Sequence, residues 1–422
     1  MRKALVGGLA VLALLSIPLA AADRAANWPQ WRGPLLTGVA PSGNPPVEWS
    51  ESKNVRWKAP IPGTGSATPV IWGDTIYVLT AVPAGEGDKQ KQKFTVLAYG
   101  RKDGKVVWER VVREEVPHEG HHDTNTYASA SALTDGELVY AFFGSRGLYA
   151  LDMKGSVKWE KDLGDMHIKM GFGEAASPAL FGDRLVVNWD HEGDSFIVAL
   201  DKKTGKELWR QSRDEKTSWA TPLIVDVGGK PQVITSATGK VRSYDLATGA
   251  LVWEATGMTA NAIPTPVYAD GLLFLTSGFR GNALMAVKLA EAKGDITTSP
   301  AVVWRYDRDT PYVPSPLLVG DHLYFLKSNS GVLSAFEAKT GKKIYGEQRL
   351  EGVPNVYASP LGVADRIYVA GREGGVAVVK QGPEFKLLAT NQLDDGFDAS
   401  PVAVGDELYL RGHRFLYRIS VN

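Results

Sequence analysis

Ala199-Leu200-Asp201-Lys202-Lys203-Thr204-Gly205-Lys206-Glu207-Leu208-Trp209 reads as the end of one strand, a tight turn, and the start of the next. The turn has the form Asp-x-x-Thr-Gly, in which Asp can bond its own backbone and Gly accepts the left-handed conformation. The same turn recurs at Asp245–Gly249 and, with Glu in place of Asp, at Glu337–Gly341. Strands with an aromatic follow, marked along the chain by Trp108, Trp159, Trp209, Trp253, Trp304 and Tyr345. Working back from each turn, the chain shows an alternating run, a Gly-bearing loop, a β-branched or aromatic run, and a turn pair such as Gly182-Asp183 or Gly320-Asp321. Before that pair stands a small hydroxyl residue followed by proline.

This hydroxyl-Pro signal occurs at Thr68, Ser177, Thr221, Thr265, Ser315, Ser359 and Ser400, with a degenerate copy at Ser131-Ala132. Successive spacings are 63, 46, 44, 44, 50, 44 and 41 residues, which makes eight units. Four hairpin-linked strands in about 44 residues describe one propeller blade. The last unit stops at its third strand, and Asn54-Val55-Arg56-Trp57-Lys58 carries the Trp that it lacks. The fold expected is an all-β, eight-bladed propeller of four-stranded antiparallel blades. Residues 54–58 should pair with Arg414–Ile419 to close the ring and cover an open sheet edge.

The Ser/Thr-Pro starts, the Gly-Asp pairs, Leu148–Asp152 and Ala199–Trp209 resemble the pyrroloquinoline-quinone (PQQ) repeat. That repeat builds the eight-bladed propellers of quinoprotein alcohol dehydrogenases and of the outer-membrane-barrel assembly lipoprotein. Asn27-Trp28-Pro29-Gln30-Trp31-Arg32-Gly33-Pro34 is similar to the opening of many exported bacterial proteins of this group. The resemblance covers residues 27–422. It implies two functions: a binding scaffold, or a PQQ-dependent oxidoreductase with a calcium-bound quinone between aromatic planes. Many catalytic members place adjacent cysteines over the quinone, and this chain has no cysteine. No catalytic residue is assigned. The reading taken is a scaffold for a small-molecule or protein/peptide ligand, with the quinoprotein dehydrogenase as the alternative.

Composition is that of an ordinary globular protein. Hydrophobic residues make up 44% of the 422, and 47 Lys+Arg balance 47 Asp+Glu, so nothing marks a nucleic-acid partner. The missing cysteine also excludes disulfides, thiolate metal sites and a lipid-bearing N-terminal Cys. Arg2 and Lys3, the apolar run from Ala4 to Leu15, and Ala20-Ala21-Ala22 compose a cleavable signal peptide. The apolar run is shorter than the ~20 residues a membrane span needs. The expected organisation is a leader at 1–22, an arm at 23–50, and one propeller at 51–422, monomeric and periplasmic or secreted.

The loops between second and third strands share one end of the ring with those leading into the first strands. That end holds the candidate ligand site. Residues just before the inner strands are Ser66, Asn125, Tyr127, Glu174, Trp219, Asn261, Tyr312, Asn355, Tyr357 and Asp398, a mixture of stacking and hydrogen-bonding groups. Arg146, Arg280 and Arg372, with Lys240, Lys327, Arg411, His191 and His413, are expected to form a basic rim opposite the Asp-rich turns. Trp219, Tyr312 and Tyr357 should ring one opening, outside the core between blades. The insertion His118-Glu119-Gly120-His121-His122-Asp123 has residue types that ligate zinc or copper, but its spacing matches no zinc signature and no metal ligand is assigned. Asp165–Glu174, with Met166, His167 and Met170, is a second excursion near the channel mouth.

Overall fold

The computed structural model describes residues 24–85 and 90–421. The leader expected at 1–22 lies outside them. Eight antiparallel sheets follow one another along the chain as eight blades, and the described helices are short, including the one-turn segments Gly144–Arg146, Lys169–Gly171 and Leu289–Glu291. Blade three is representative: Ala179–Phe181 innermost, then Arg184–Trp189, Phe196–Asp201, and Glu207–Ser212 outermost. Its central strands alternate Val, Ile, Ala and Leu, which are buried on both faces because a blade is packed between two neighbours.

Blade eight closes as expected. Val55–Pro60 pairs antiparallel with Phe415–Ile419, Lys58 opposite Tyr417, with a bulge at Arg56. The Trp57 indole then donates to the Arg101 carbonyl at 3.1 Å and lies over Gly104 of blade one. The same device repeats around the ring: Trp108 donates to Met153 O, Trp159 to Lys202 O, Trp209 to Leu246 O and Trp304 to Ala338 O. Each ring covers the turn glycine of the following blade. At Gly104, φ is +69° and a Cβ would lie 2.7 Å from the Trp57 ring, so both conformation and space require glycine.

One blade departs from the four-strand pattern. In blade four, Leu251–Ala255 gains a fifth, parallel neighbour, Gly294-Asp295, and Trp253 bonds Gln232 instead of the next blade. The physical reason is the 289–301 insertion, which replaces the Asp-x-x-Thr-Gly turn of blade five and lies along its neighbour's edge.

The centre is closed by side chains. The amide of each inner Ser or Thr donates to the hydroxyl oxygen of its counterpart in the next blade, through 68, 131, 177, 221, 265, 315, 359, 400 and back to 68, at 2.9–3.2 Å. The inner strands cannot pair across the channel, so this ring satisfies their first amides. Residues 27–50 cross the ring on the Gly-Asp turn side. Trp28 bridges Ile71 in blade one, Pro29 accepts from Thr134 in blade two, and Ala40 bonds Gly362 in blade seven. Arg32 is buried and donates to the carbonyls of Thr37, Pro316 and Pro360. With no carboxylate among these partners, burial pulls its guanidinium down to about 9.

Candidate functional site

The channel mouth opposite the arm opens into a cavity of about 380 Å³. Its base is the hydroxyl ring, with Trp31 closing it from below through Nε1 to Ser400 Oγ at 3.4 Å. Trp219, Phe172, Phe279, Tyr312 and Tyr357 supply aromatic walls, while Ser66, Asn125, His122 and Asp398 supply polar ones. Phe279 and Tyr312 stack with centroids 4.9 Å apart. The opening is therefore apolar at its sides and hydrogen-bonding at its base and one edge, as ligand sites usually are.

Among the residues anticipated for this site, Ser66, Asn125, Trp219, Tyr312, Tyr357 and Asp398 do line the cavity. Tyr127 and Glu174 border a separate, smaller space of about 40 Å³. There Glu174 accepts from the amide and hydroxyl of Ser145, and burial pushes its carboxyl up. Asn261 is buried behind the wall, taking a bond from Lys169 Nζ and giving one to the Tyr312 hydroxyl. Asn355 does not border the cavity; its backbone pairs with Ser330.

Two expectations are corrected. Trp219 belongs to the core between blades: it is 8% exposed, packs with Phe142, Trp189 and Ile168, and its indole holds Gly173 O at 2.7 Å. The basic rim does not form either. Arg146 is buried and paired with Glu115 at 2.7 Å, and Arg411 is buried with Nη1 on Ala67 O at 2.8 Å. Lys240 is matched by Glu254 and Lys327 by Asp309. Across the ring, Asp183, Asp321 and Asp365 have their own basic partners. Burial and local pairing thus remove most of the basic end that counting charges suggests. Of the eight basic groups named for that rim, Arg280 alone stays exposed against Phe279 with no acidic partner among the described residues.

Arg372 takes a third course. It lies over the Tyr357 ring at 4.3 Å and grips Asp398 with two hydrogen bonds, of 2.6 and 3.2 Å. His413 Nε2 stands 2.9 Å from the second Asp398 oxygen, and that hydrogen bond raises the imidazole above its ordinary value. A raised folded-state value means the contribution is fully present below the unfolded value, about 6.5, and disappears as pH rises through the folded one. Wild type should therefore exceed His413→Gln in melting temperature at pH 5.5, with the gap closing by pH 8.5. The ring is half exposed, so the gap should correspond to no more than about 1 kcal/mol. A gap that is constant or grows with pH would contradict the assignment.

Calcium takes six to eight oxygen ligands, and carboxylates of the protein are prominent among those a bound quinone does not supply. Among the described residues Asp398 is the one carboxylate lining the cavity, and Arg372 and His413 engage both its oxygens. The residues present do not fit that group.

Sequence reasoning missed Trp31, His122, Phe172 and Phe279. Phe172 and His122 sit in the two excursions already noticed, whose length was the available signal. Asn125 fixes one to the other by donating to Phe172 O at 2.9 Å.

A family model described as outer membrane protein assembly factor BamB matches residues 39–188 and 193–419. The protein of that description from Shewanella oneidensis is 26% identical over 302 residues, 67% of this chain and 66% of its own length. Its counterpart from Francisella salina is 32% identical over 99 residues, 23% of this chain and 17% of its own. The chain thus spans just under two thirds of the first relative and about a sixth of the second. The crystal structure of BamB from Moraxella catarrhalis superimposes with a TM-score of 0.60 at 16% identity, over 87% of this chain and 97% of that one. Quinohemoprotein alcohol dehydrogenase ADHIIG from Pseudomonas putida HK5 gives 0.58 at 11% identity, over 95% and 81%. At these identities the structural likenesses carry the fold alone.

Proposed function

Because the chain belongs to the family of outer membrane protein assembly factor BamB, we propose that it acts after export as a protein-binding scaffold. It holds an extended segment of a partner protein at the mouth of the central channel. The observation that carries this reading is the aromatic-walled cavity, closed beneath by Trp31 and the hydroxyl ring. At about 380 Å³ it accommodates a few side chains and no folded domain. Tyr312, Phe279 and Tyr357 would take apolar or aromatic side chains, and the hydroxyls and Asn125 would bond the segment's polar groups. A rigid ring suits such a task, since no loop need be ordered on binding.

The test is a photo-crosslinking residue placed in cells at Val313, on the cavity wall, and at Asp183, on the opposite end. Protein adducts are expected from position 313 and not from 183. Tyr312→Ala with Tyr357→Ala should abolish them while leaving the melting transition cooperative. Trp219 is unsuitable here because it is core. Equal adducts from both ends, or adducts that survive the double substitution, would overturn the proposal.

A further inference from the structure

We propose that His118, Glu119 and His167 form a divalent transition-metal site of the zinc class, stapling together the two excursions that wall the channel mouth. One ligand atom from each of the three lies within 4.8 Å of the others. His167 Nδ1 and Glu119 Oε1 are 3.0 Å apart. Ligands held at 2.0–2.1 Å around tetrahedral zinc sit roughly 3.3 Å from one another, so this edge is already close to ligating geometry. Two imidazoles and a carboxylate leave a fourth position for water, and nitrogen donors favour zinc or copper over calcium or magnesium.

The surroundings are arranged as outer partners of a metal usually are. His118 Nε2 donates to Met166 O at 2.7 Å, which leaves the lone pair on Nδ1. The second Glu119 oxygen accepts from the Ile168 amide at 3.0 Å and orients the carboxylate. Arg146 Nη2 bonds His118 Nδ1 and is the group a metal must displace. It has somewhere to go: Nη1 already holds Glu115 at 2.7 Å, and Asp165 lies 3.8 Å away. Glu115, Glu119 and Asp165 outnumber Arg146 and Arg113, the latter also paired with Glu115, so the neighbourhood keeps one net negative charge for a cation. His121 and His122, adjacent in sequence, face elsewhere: His121 packs on Tyr127 and His122 bonds Thr124.

The site joins residue 118–119 of the first excursion to residue 167 of the second. His122 and Phe172, a few residues away on each, line the cavity. A bound ion would thus hold the mouth in shape, whatever the mouth receives.

Protein without a polyhistidine tag, stripped with chelator, is titrated with zinc chloride by calorimetry and with cobalt(II) by visible absorbance. One equivalent is expected, with a tetrahedral cobalt spectrum and slower proteolysis of residues 117–125 and 165–172. His167→Ala and Glu119→Gln should each weaken binding roughly tenfold or more. The double variant His121→Ala/His122→Ala should bind as wild type does. Absence of saturable binding to wild type, or an octahedral cobalt spectrum, overturns the proposal without needing any variant. So does binding that His167→Ala leaves unchanged. Failure here leaves the scaffold reading intact, since photo-crosslinking at Val313 is scored separately.

Discussion

Deletion of residues 24–60 is expected to destroy cooperative folding. Three contributions leave together. The Phe415–Ile419 strand loses its neighbour Val55–Pro60 and becomes an open edge. Trp57 vanishes from the junction between blades eight and one, exposing Gly104 and the turn it covers. Trp31 and Arg32 no longer fill the underside of the channel, so the carbonyls of Pro316 and Pro360 lose their donor. Size-exclusion chromatography should show aggregation, and urea unfolding should lose its single transition. The milder variant Trp57→Ala keeps strand pairing and removes only the docking. It should stay monomeric and unfold cooperatively at lower urea. If the deletion protein remains monomeric with an unchanged midpoint, the closure does not hold the ring.

Asp190→Ala should cost about 3–5 kcal/mol, the usual penalty for orphaning a buried charge. Asp190 and Arg213 have fully buried side chains joined by bonds of 2.6 and 3.0 Å. Burial alone would lower the guanidinium's pKa, but Asp190 outweighs it and the group ends above its ordinary value. Arg213 also donates to Thr235 and Tyr244, and Asp190 accepts from Ser218 and Asn188. These bonds tie blade three to blade four behind the cavity wall. Asp190→Leu combined with Arg213→Met removes both charges and should cost much less than the sum of the single changes. Denaturation midpoints at unchanged slope measure both. A single-variant loss below about 1 kcal/mol would mean that water reaches Arg213 once Asp190 is gone.

Neither this pair nor the plug was legible in the residues. Arg213 follows a strand of ordinary composition, and Trp31 meets Ser400 across 369 positions. Periodicity reports which way a side chain points along its own strand. It says nothing about which distant side chain stands opposite. The hydroxyl ring shows the boundary clearly. Seven of its members mark the units as hydroxyl-Pro punctuation and Ser131-Ala132 as its degenerate copy, yet their joint role as amide acceptors exists only after the blades are arranged in a circle. Arg146 illustrates the reverse error. At a hairpin loop a basic residue reads as solvated, but Glu115 at the end of the strand Val106–Glu115 and His118 of the insertion after it close over the guanidinium.

Eight units, the blade architecture, and closure by residues 54–58, which the folded chain realises as the strand Val55–Pro60, followed from local pattern, because turn chemistry, alternation and a missing strand are properties of neighbouring residues. The cavity walls, the buried ion pairs and the His118–Glu119–His167 cluster were decided by folding. They join residues from different blades and excursions, and such contacts depend on how loops of unequal length pack once the ring has brought them to one end.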